Sequence, residues 1–161
     1  MSYATIPRMR YVLSSQWSLF ERFAITDEAG DLQFEARGHF GSQISLHDRS
    51  GQEVATVTKH MFSEVHDVLI GGQKVAEVRH AGFFGDRYQL DTSYGAFEAR
   101  GRLMGGDFQL TSGGIPVAQM VRQFSLREKY GIDIADSENP VLILALMLAV
   151  EAIHDERARR R

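Results

Sequence analysis

Hydrophobic and polar residues alternate along most of the first 135 residues of the chain. In the stretch 43–47, Ile44 and Leu46 alternate with polar residues, and Tyr88 and Leu90 repeat the pattern in 88–91. Such alternation places one row of side chains on a core and the other in water, as in a β-strand. We therefore predict about twelve short strands, at residues 8–14, 18–27, 32–38, 43–48, 53–58, 63–70, 73–79, 84–92, 94–102, 107–112, 115–123 and 127–134.

Turn residues separate these stretches at regular intervals. Asp27–Gly30 and Asp48–Gly51 share one pattern, in which the Asp side chain starts a tight turn and the Gly adopts a positive φ. Gly71-Gly72 and Gly113-Gly114 are typical of shorter turns. Regular turn signals of this kind predict an antiparallel meander. No linker or change of composition divides the chain, so we predict one domain over residues 1–161.

The pattern changes after residue 135. Asn139 and Pro140 are typical of a helix start, and we predict a helix over about residues 138–157. Residues 141–150 are apolar on every side of that helix, yet this run is too short to cross a bilayer. A barrel of about twelve strands leaves space along its axis. We therefore predict a mainly β fold, a closed antiparallel barrel that encloses the hydrophobic C-terminal helix.

Composition narrows the classes of function. The formal net charge is −3, which gives no global electrostatic basis for nucleic-acid binding. The chain has no cysteine, which excludes disulfides, thiolate zinc sites and a cysteine nucleophile. Residues 1–10 contain no apolar run typical of a signal peptide. We expect a cytoplasmic protein, with peripheral membrane contact as a further hypothesis.

The order of the elements carries a family resemblance. An early aromatic strand precedes two Asp-x-x-Gly hairpins, a series of short strands and a hydrophobic helix; these are Trp17–Ile25, Asp27–Gly30, Asp48–Gly51, Lys74–Val78, Ile115–Ala118, Tyr130–Ile134 and Val141–Asp155. This order resembles the LURP-one-related family, which is similar to the Tubby C-terminal domain and to phospholipid scramblases. The resemblance implies a closed barrel around a central helix and no known enzymatic activity. Tubby relatives bind phosphoinositide headgroups, but no residue of their pocket is carried over to this chain.

The first candidate site is the segment around Phe83 and Phe84, which glycines flank on both sides. Arg79 and Arg87 lie on either side of these rings in sequence. Rings of this kind can enter the acyl boundary of a membrane while the cations meet lipid phosphates. The alternative interpretation is structural: the two phenylalanines close one end of the barrel and the arginines are solvated.

A basic patch is the second candidate. Lys59, Lys74, Arg79 and Arg87 are candidate ligands for an anionic headgroup. Carboxylates nearby in sequence favour the alternative, scattered charges on the strand surface. The basic run Arg157–Arg161 is likewise either a phosphate contact or a solvated helix end whose cations complement the helix dipole.

No motif indicates catalysis. The six histidines have no metal-ligand spacing, and the sequence contains no nucleophile elbow, P-loop or dinucleotide fingerprint. We therefore expect no catalytic residue, no metal and no cofactor. The favoured hypothesis is a non-enzymatic module that binds anionic phospholipid headgroups at a membrane surface. The alternatives are a scaffold that binds a protein partner or itself, and an enzyme whose pocket is assembled from scattered residues.

Overall fold

The computed structural model describes residues 8–14, 23–38, 43–82, 85–101, 108–122 and 129–160. Within these ranges twelve β-strands precede one α-helix. The elements are β1 (Arg8–Ser14), β2 (Phe23–Thr26), β3 (Leu32–Gly38), β4 (Gln43–Asp48), β5 (Glu53–Lys59), β6 (His66–Ile70), β7 (Gln73–His80), β8 (Arg87–Thr92), β9 (Gly95–Arg100), β10 (Gln109–Ser112), β11 (Ile115–Arg122), β12 (Lys129–Ala135) and α1 (Pro140–Arg159).

The strands form a closed up-and-down barrel. Each strand pairs antiparallel with its neighbours in the chain, and β1 closes the barrel by pairing with both β2 and β12. The β1–β12 seam runs from Arg8 opposite Ala135 to Ser14 opposite Lys129. Closure satisfies the backbone hydrogen-bonding groups that an open sheet would leave at its edges.

The hydrophobic helix α1 lies inside this barrel. Nine consecutive residues, 142–150, are each at most 4% exposed. Because nine residues make two and a half helical turns, every side of this segment is covered. The helix packs most closely against β5, β6 and β7. These observations confirm the predicted barrel and its enclosed helix. No helix in the part of the chain described above has the length and apolarity needed to cross a membrane.

The two ends of the barrel receive alternate connections. We call one the turn end; its connections are residues 27–31, 49–52, 71–72, 93–94, 113–114 and 136–139. We call the other the loop end; its strands are joined by residues 15–22, 39–42, 60–65, 81–86, 101–108 and 123–128. Helix α1 begins at the turn end, after β12. Its last turns reach the loop end, where Glu156 binds Lys59 and His154 lies 3.4 Å from Asp86.

Local hydrogen bonds explain where the elements differ from the sequence prediction. The sixth strand begins at His66 rather than residue 63, because His60 N–H donates to the Val65 carbonyl at 2.9 Å and closes a loop. The helix begins at Pro140 rather than residue 138, because the Asn139 side chain accepts from Val141 N–H at 2.9 Å and caps it. Of the predicted second strand, residues 18–22 lie outside the described ranges.

The predicted tight turns are present at the turn end. Asp27 Oδ1 accepts from the N–H groups of Ala29 and Asp31, both at 2.9 Å. Asp48 Oδ1 accepts from Gln52 N–H at 3.0 Å in the same manner, and Gly51 has a φ of 87°. The hydrogen bond from the Ser50 hydroxyl is the main cause that lowers the pKa of Asp48. Each aspartate thus satisfies backbone donors that a hairpin would otherwise leave unpaired.

Candidate functional site

An exposed apolar pair projects from the loop end. Met61 and Phe62, in the connection between β5 and β6, are 82% and 96% exposed. Two contacts hold the base of this connection: the His60–Val65 backbone hydrogen bond and a 2.8 Å contact between His60 Nε2 and Asp67 Oδ2. The base is therefore ordered while the two large side chains stand in water. We call Met61 and Phe62 the tip.

Charged groups surround the base of the tip. Arg157 and Arg160, in and just after the last turn of α1, contact the Glu64 carboxylate at 3.5 and 2.7 Å. Arg160 also binds Glu156 at 2.6 Å, and Glu156 in turn binds Lys59. Cations at this position complement the negative end of the helix dipole. The helix end and the tip connection are thereby joined by one network of ion pairs.

Burial and charge shift two pKa values in this network. Burial raises the pKa of Glu156, but the hydrogen bond and charge of Lys59, with the charge of Arg160, outweigh it and leave that pKa below its ordinary value. His66 is 1% exposed, and burial lowers its pKa. His66 Nδ1 lies 3.1 Å from the Glu64 carbonyl, while Nε2 makes no hydrogen bond to any described residue. His66 is therefore a neutral, buried support beneath the tip connection.

The structure gives each of the four predicted cations a carboxylate partner. Lys59 lies at the loop end beside Glu156, whereas Lys74 is the second residue of β7 and binds Glu77. Arg79 binds Asp91 at 3.0 Å, and Arg87 binds Glu98 at 3.1 Å, both on the outer face of the barrel. Lys74 and Arg79 also share the Glu77 carboxylate, so carboxylates balance the charge of every predicted cation. Phe83 and Phe84 lie outside the described residues.

One cluster on the outer face has metal-ligating groups. Donor atoms of His60, Asp67 and Glu77 lie within 4.8 Å of one another. The Lys74 ammonium lies among them, 3.3 Å from Asp67 and in contact with Glu77. The hydrogen bond to Glu77, assisted by Asp67, raises the pKa of Lys74. Because Lys74 supplies the positive charge, we interpret this cluster as an ion-pair network of the sheet surface.

Sequence reasoning did not single out the tip. Its signal was present: residues 59–62 fall between two predicted strands, where Met61 and Phe62 occupy positions that usually carry turn residues. It also did not single out Glu64 as the partner of the helix arginines. Glu64 and Arg160 are 96 positions apart in the chain, and only the threading of α1 through the barrel brings them together.

The fold and this site define a class of protein: a twelve-stranded up-and-down barrel around a hydrophobic helix, with an exposed apolar tip beside the helix end. A family model described as LURP-one-related matches residues 9–151, so the chain belongs to that family. This confirms the resemblance inferred from the order of the elements.

A solved structure shares the fold. The X-ray structure of a protein from Arabidopsis thaliana has a TM-score of 0.69 and 17% sequence identity to this chain. The match covers 94% of this chain and 95% of that one. At this identity the likeness shows the fold alone. No curated protein sequence matches the chain.

Proposed function

We propose that the protein is a non-enzymatic binding module whose loop end contacts the surface of membranes that contain anionic phospholipid. The observation that carries this proposal is the exposure of Met61 and Phe62 beside the basic end of α1. Fully burying one large apolar side chain contributes about 1.5–3 kcal/mol. Insertion of the tip into the acyl boundary would gain part of that free energy for each residue.

The charges around the tip support an anionic surface. Lys59, Arg157 and Arg160 lie at the loop end, and two of them belong to a basic run at 157–161 of the sequence. Each Lys or Arg near an anionic leaflet contributes about 1 kcal/mol to membrane attraction. An apolar tip rimmed by cations is the combination that peripheral proteins use at the membrane interface. The anionic cytoplasmic leaflet is the surface that suits it.

The amino acids between the strands support the same orientation. Each of the six connections of the loop end contains at least one Trp, Phe, Leu or Met in sequence. The turn-end connections contain none of these four residue types, and they carry five carboxylates against a single arginine. The loop-end connections also carry five carboxylates, but against three arginines, and the cations at the end of α1 add to these. An anionic membrane therefore repels the turn end more strongly than the loop end.

Vesicle flotation tests this proposal. We expect the protein to float with phosphatidylcholine vesicles that contain phosphatidylserine at low salt, and less at high salt because exposed charges are screened. The double substitution Met61→Ser, Phe62→Ser should weaken binding by about tenfold or more, because the apolar contribution is lost. The matched control is Tyr94→Ser, Ile115→Ser, which removes two apolar residues that are 71% and 61% exposed at the turn end.

The outcomes separate the membrane proposal from the alternative of protein contact. The membrane proposal is wrong if the wild type does not float at low salt, or if the tip substitutions leave binding unchanged. Light scattering on the same samples reports self-association. A dimer that dissociates on substitution of the tip, without vesicle binding, would instead favour a self-associating module.

A further inference from the structure

We propose that Arg157 and Arg160 form a binding site for the phosphate group of a membrane lipid, and that the Glu64 carboxylate occupies this site in the unbound protein. This inference rests on the proposed function and assigns its anion-binding residues. The sequence left the basic run Arg157–Arg161 as either a phosphate contact or a solvated helix end. The geometry at the end of α1 singles out two arginines of this run and adds Glu64 as their partner.

The two arginines hold both oxygens of one carboxylate. Arg160 Nη1 lies 2.7 Å from Glu64 Oε1, and Arg157 Nη1 lies 3.5 Å from Glu64 Oε2. Residues three apart on a helix lie on the same face, so the two guanidinium groups converge. Guanidinium forks bind phosphate oxygens with the same geometry that they use for carboxylates. A phosphate group can therefore replace the Glu64 carboxylate between them.

Glu64 is the partner that can be exchanged, whereas Glu156 is fixed. Glu64 is 38% exposed, and ion pairs between exposed groups are weak in water. Glu156 is 13% exposed; it binds Arg160 Nη2 at 2.6 Å and also binds Lys59. Glu156 therefore orients the Arg160 guanidinium through Nη2. The other nitrogen, Nη1, can exchange the Glu64 carboxylate for a phosphate oxygen. Glu156 is a positioning residue for this site.

The tip determines which source of phosphate the site recognises. Glu64 follows Phe62 by two residues, so the anion site and the apolar tip share one connection between β5 and β6. The Glu64 backbone stays held, because its carbonyl lies 3.1 Å from His66 Nδ1. Only the side chain has to move when a headgroup arrives. A lipid phosphate gains both the arginine contacts and the apolar contact, whereas free phosphate gains only the first.

Substitution of Glu64 tests the proposal through a gain in binding. We expect Glu64→Gln to bind vesicles of phosphatidylcholine and phosphatidic acid about fivefold more tightly than the wild type, because the competing carboxylate is removed. The matched control is Glu98→Gln, which makes the same change of net charge but removes the partner of Arg87 on the outer face. This control should change binding by less than about twofold.

A double-substitution cycle tests whether the gain in vesicle binding requires the two arginines. Arg157→Gln, Arg160→Gln should weaken vesicle binding by about tenfold, and adding Glu64→Gln to this variant should produce no gain. All three side chains are partly exposed, and circular dichroism verifies that each variant folds. Inorganic phosphate gains the arginine contacts without the apolar contact, so it should compete only weakly, and most wild-type protein should remain on the vesicles when free phosphate exceeds lipid phosphate. Complete release under this condition, without release by chloride at equal ionic strength, would contradict recognition through the lipid.

The results distinguish this inference from the proposed function. If the tip substitutions weaken vesicle binding but Glu64→Gln does not strengthen it, or acts equally without the arginines, the inference is wrong and the membrane function stands. If Glu64→Gln strengthens the binding of the wild type but not that of the variant without the two arginines, the carboxylate competes for the site as proposed. If neither protein binds, both proposals are wrong.

Discussion

The two ends of the barrel are built from the same twelve strands but differ in their connections. At the turn end, aspartate side chains pair with the backbone of short hairpins, as Asp27 and Asp48 do. At the loop end, the connection between β5 and β6 leaves Met61 and Phe62 in water and joins its base to the helix through Glu64. The turn end thus uses its polar side chains to stabilise hairpins, whereas the loop end leaves large apolar side chains exposed, as the proposed membrane contact requires.

Helix α1 contributes residues to both ends of the barrel. Its N-terminus is capped at the turn end by Asn139, and its middle fills the barrel core. Its last turns carry the charged residues that meet Lys59, Glu64 and Asp86 at the loop end. Helix α1 thus changes from apolar to charged along its length rather than around its circumference. One element supplies both the core and the basic part of the candidate site.

The largest effect on stability is expected for a core residue of α1, midway between the two ends of the barrel. Leu146 is fully buried in α1, and Leu146→Ala should lower the free energy of unfolding by about 3 kcal/mol, because it leaves a cavity in the core. Phe62→Ala, in the exposed tip, should change it by less than about 0.5 kcal/mol. Urea unfolding of the two variants measures both values. Equal effects would contradict the enclosure of the helix.

Acidification should weaken the loop end before the turn end. Burial lowers the pKa of His66 in the folded protein, so its contribution to stability is complete above the unfolded value of about 6.5. That contribution is lost as the pH falls below 6.5 toward the lower folded pKa, with a slope of at most about 1.4 kcal/mol per pH unit. The pKa of Asp48 is lowered from a value of 3.8, so its contribution is lost only at more acidic pH.

Unfolding curves at pH 7.5 and 5.5 measure this difference. We expect the wild type to lose stability between these two values and His66→Phe to lose less, because phenylalanine does not titrate. The two proteins are compared by the change in the free energy of unfolding with pH and not by its absolute value, since the substitution also removes the contact with the Glu64 carbonyl. Identical slopes in the two proteins would show that His66 does not bind fewer protons in the folded state.

A smaller effect is expected from the hairpins of the turn end. Asp27→Ala should cost about 1 kcal/mol of stability, because two backbone N–H groups lose their acceptor. Asp27→Asn keeps a side-chain oxygen in the same position and should retain most of it. Thermal unfolding measures the stability, and flotation should show unchanged vesicle binding for both variants. Weaker binding by either would mean that the two ends are not functionally separate.

The smallest effect is expected for a cation whose charge two carboxylates already balance. Lys74→Gln removes a candidate predicted from sequence, but the Lys74 ammonium is held on the outer face by Asp67 and Glu77. We expect vesicle binding to change by less than about 0.5 kcal/mol, the usual range for a surface substitution. A loss comparable to that of the tip variant would move the anion-binding surface to the outer face of the barrel.

Sequence patterns predicted the fold in detail because its determinants are local. Alternation specifies the strands, Asp-x-x-Gly specifies hairpins, and the apolar run 141–150 specifies an enclosed helix. Register is not local in this sense. Arg79 meets Asp91 because Arg79 pairs with Gln89 across β7 and β8, and the sequence does not state this alignment. The partners of the predicted cations therefore became known only from the structure.

The candidate site was less predictable for the same reason. Glu64 and Arg160 meet because α1 threads the full length of the barrel and ends beside the β5–β6 connection. No sequence pattern relates two positions that far apart. The tip itself carries a local signal, because two large apolar residues occupy a predicted connection between strands.

Site-specific labelling tests the central claim that the loop end faces the membrane. The chain contains no cysteine, so Phe62→Cys and Tyr94→Cys each allow one environment-sensitive fluorophore to be attached, at the loop end and at the turn end. On addition of anionic vesicles, we predict a blue shift and increased emission from the label at position 62 and no change at position 94. Unchanged emission at position 62, or a blue shift at position 94, would contradict the account.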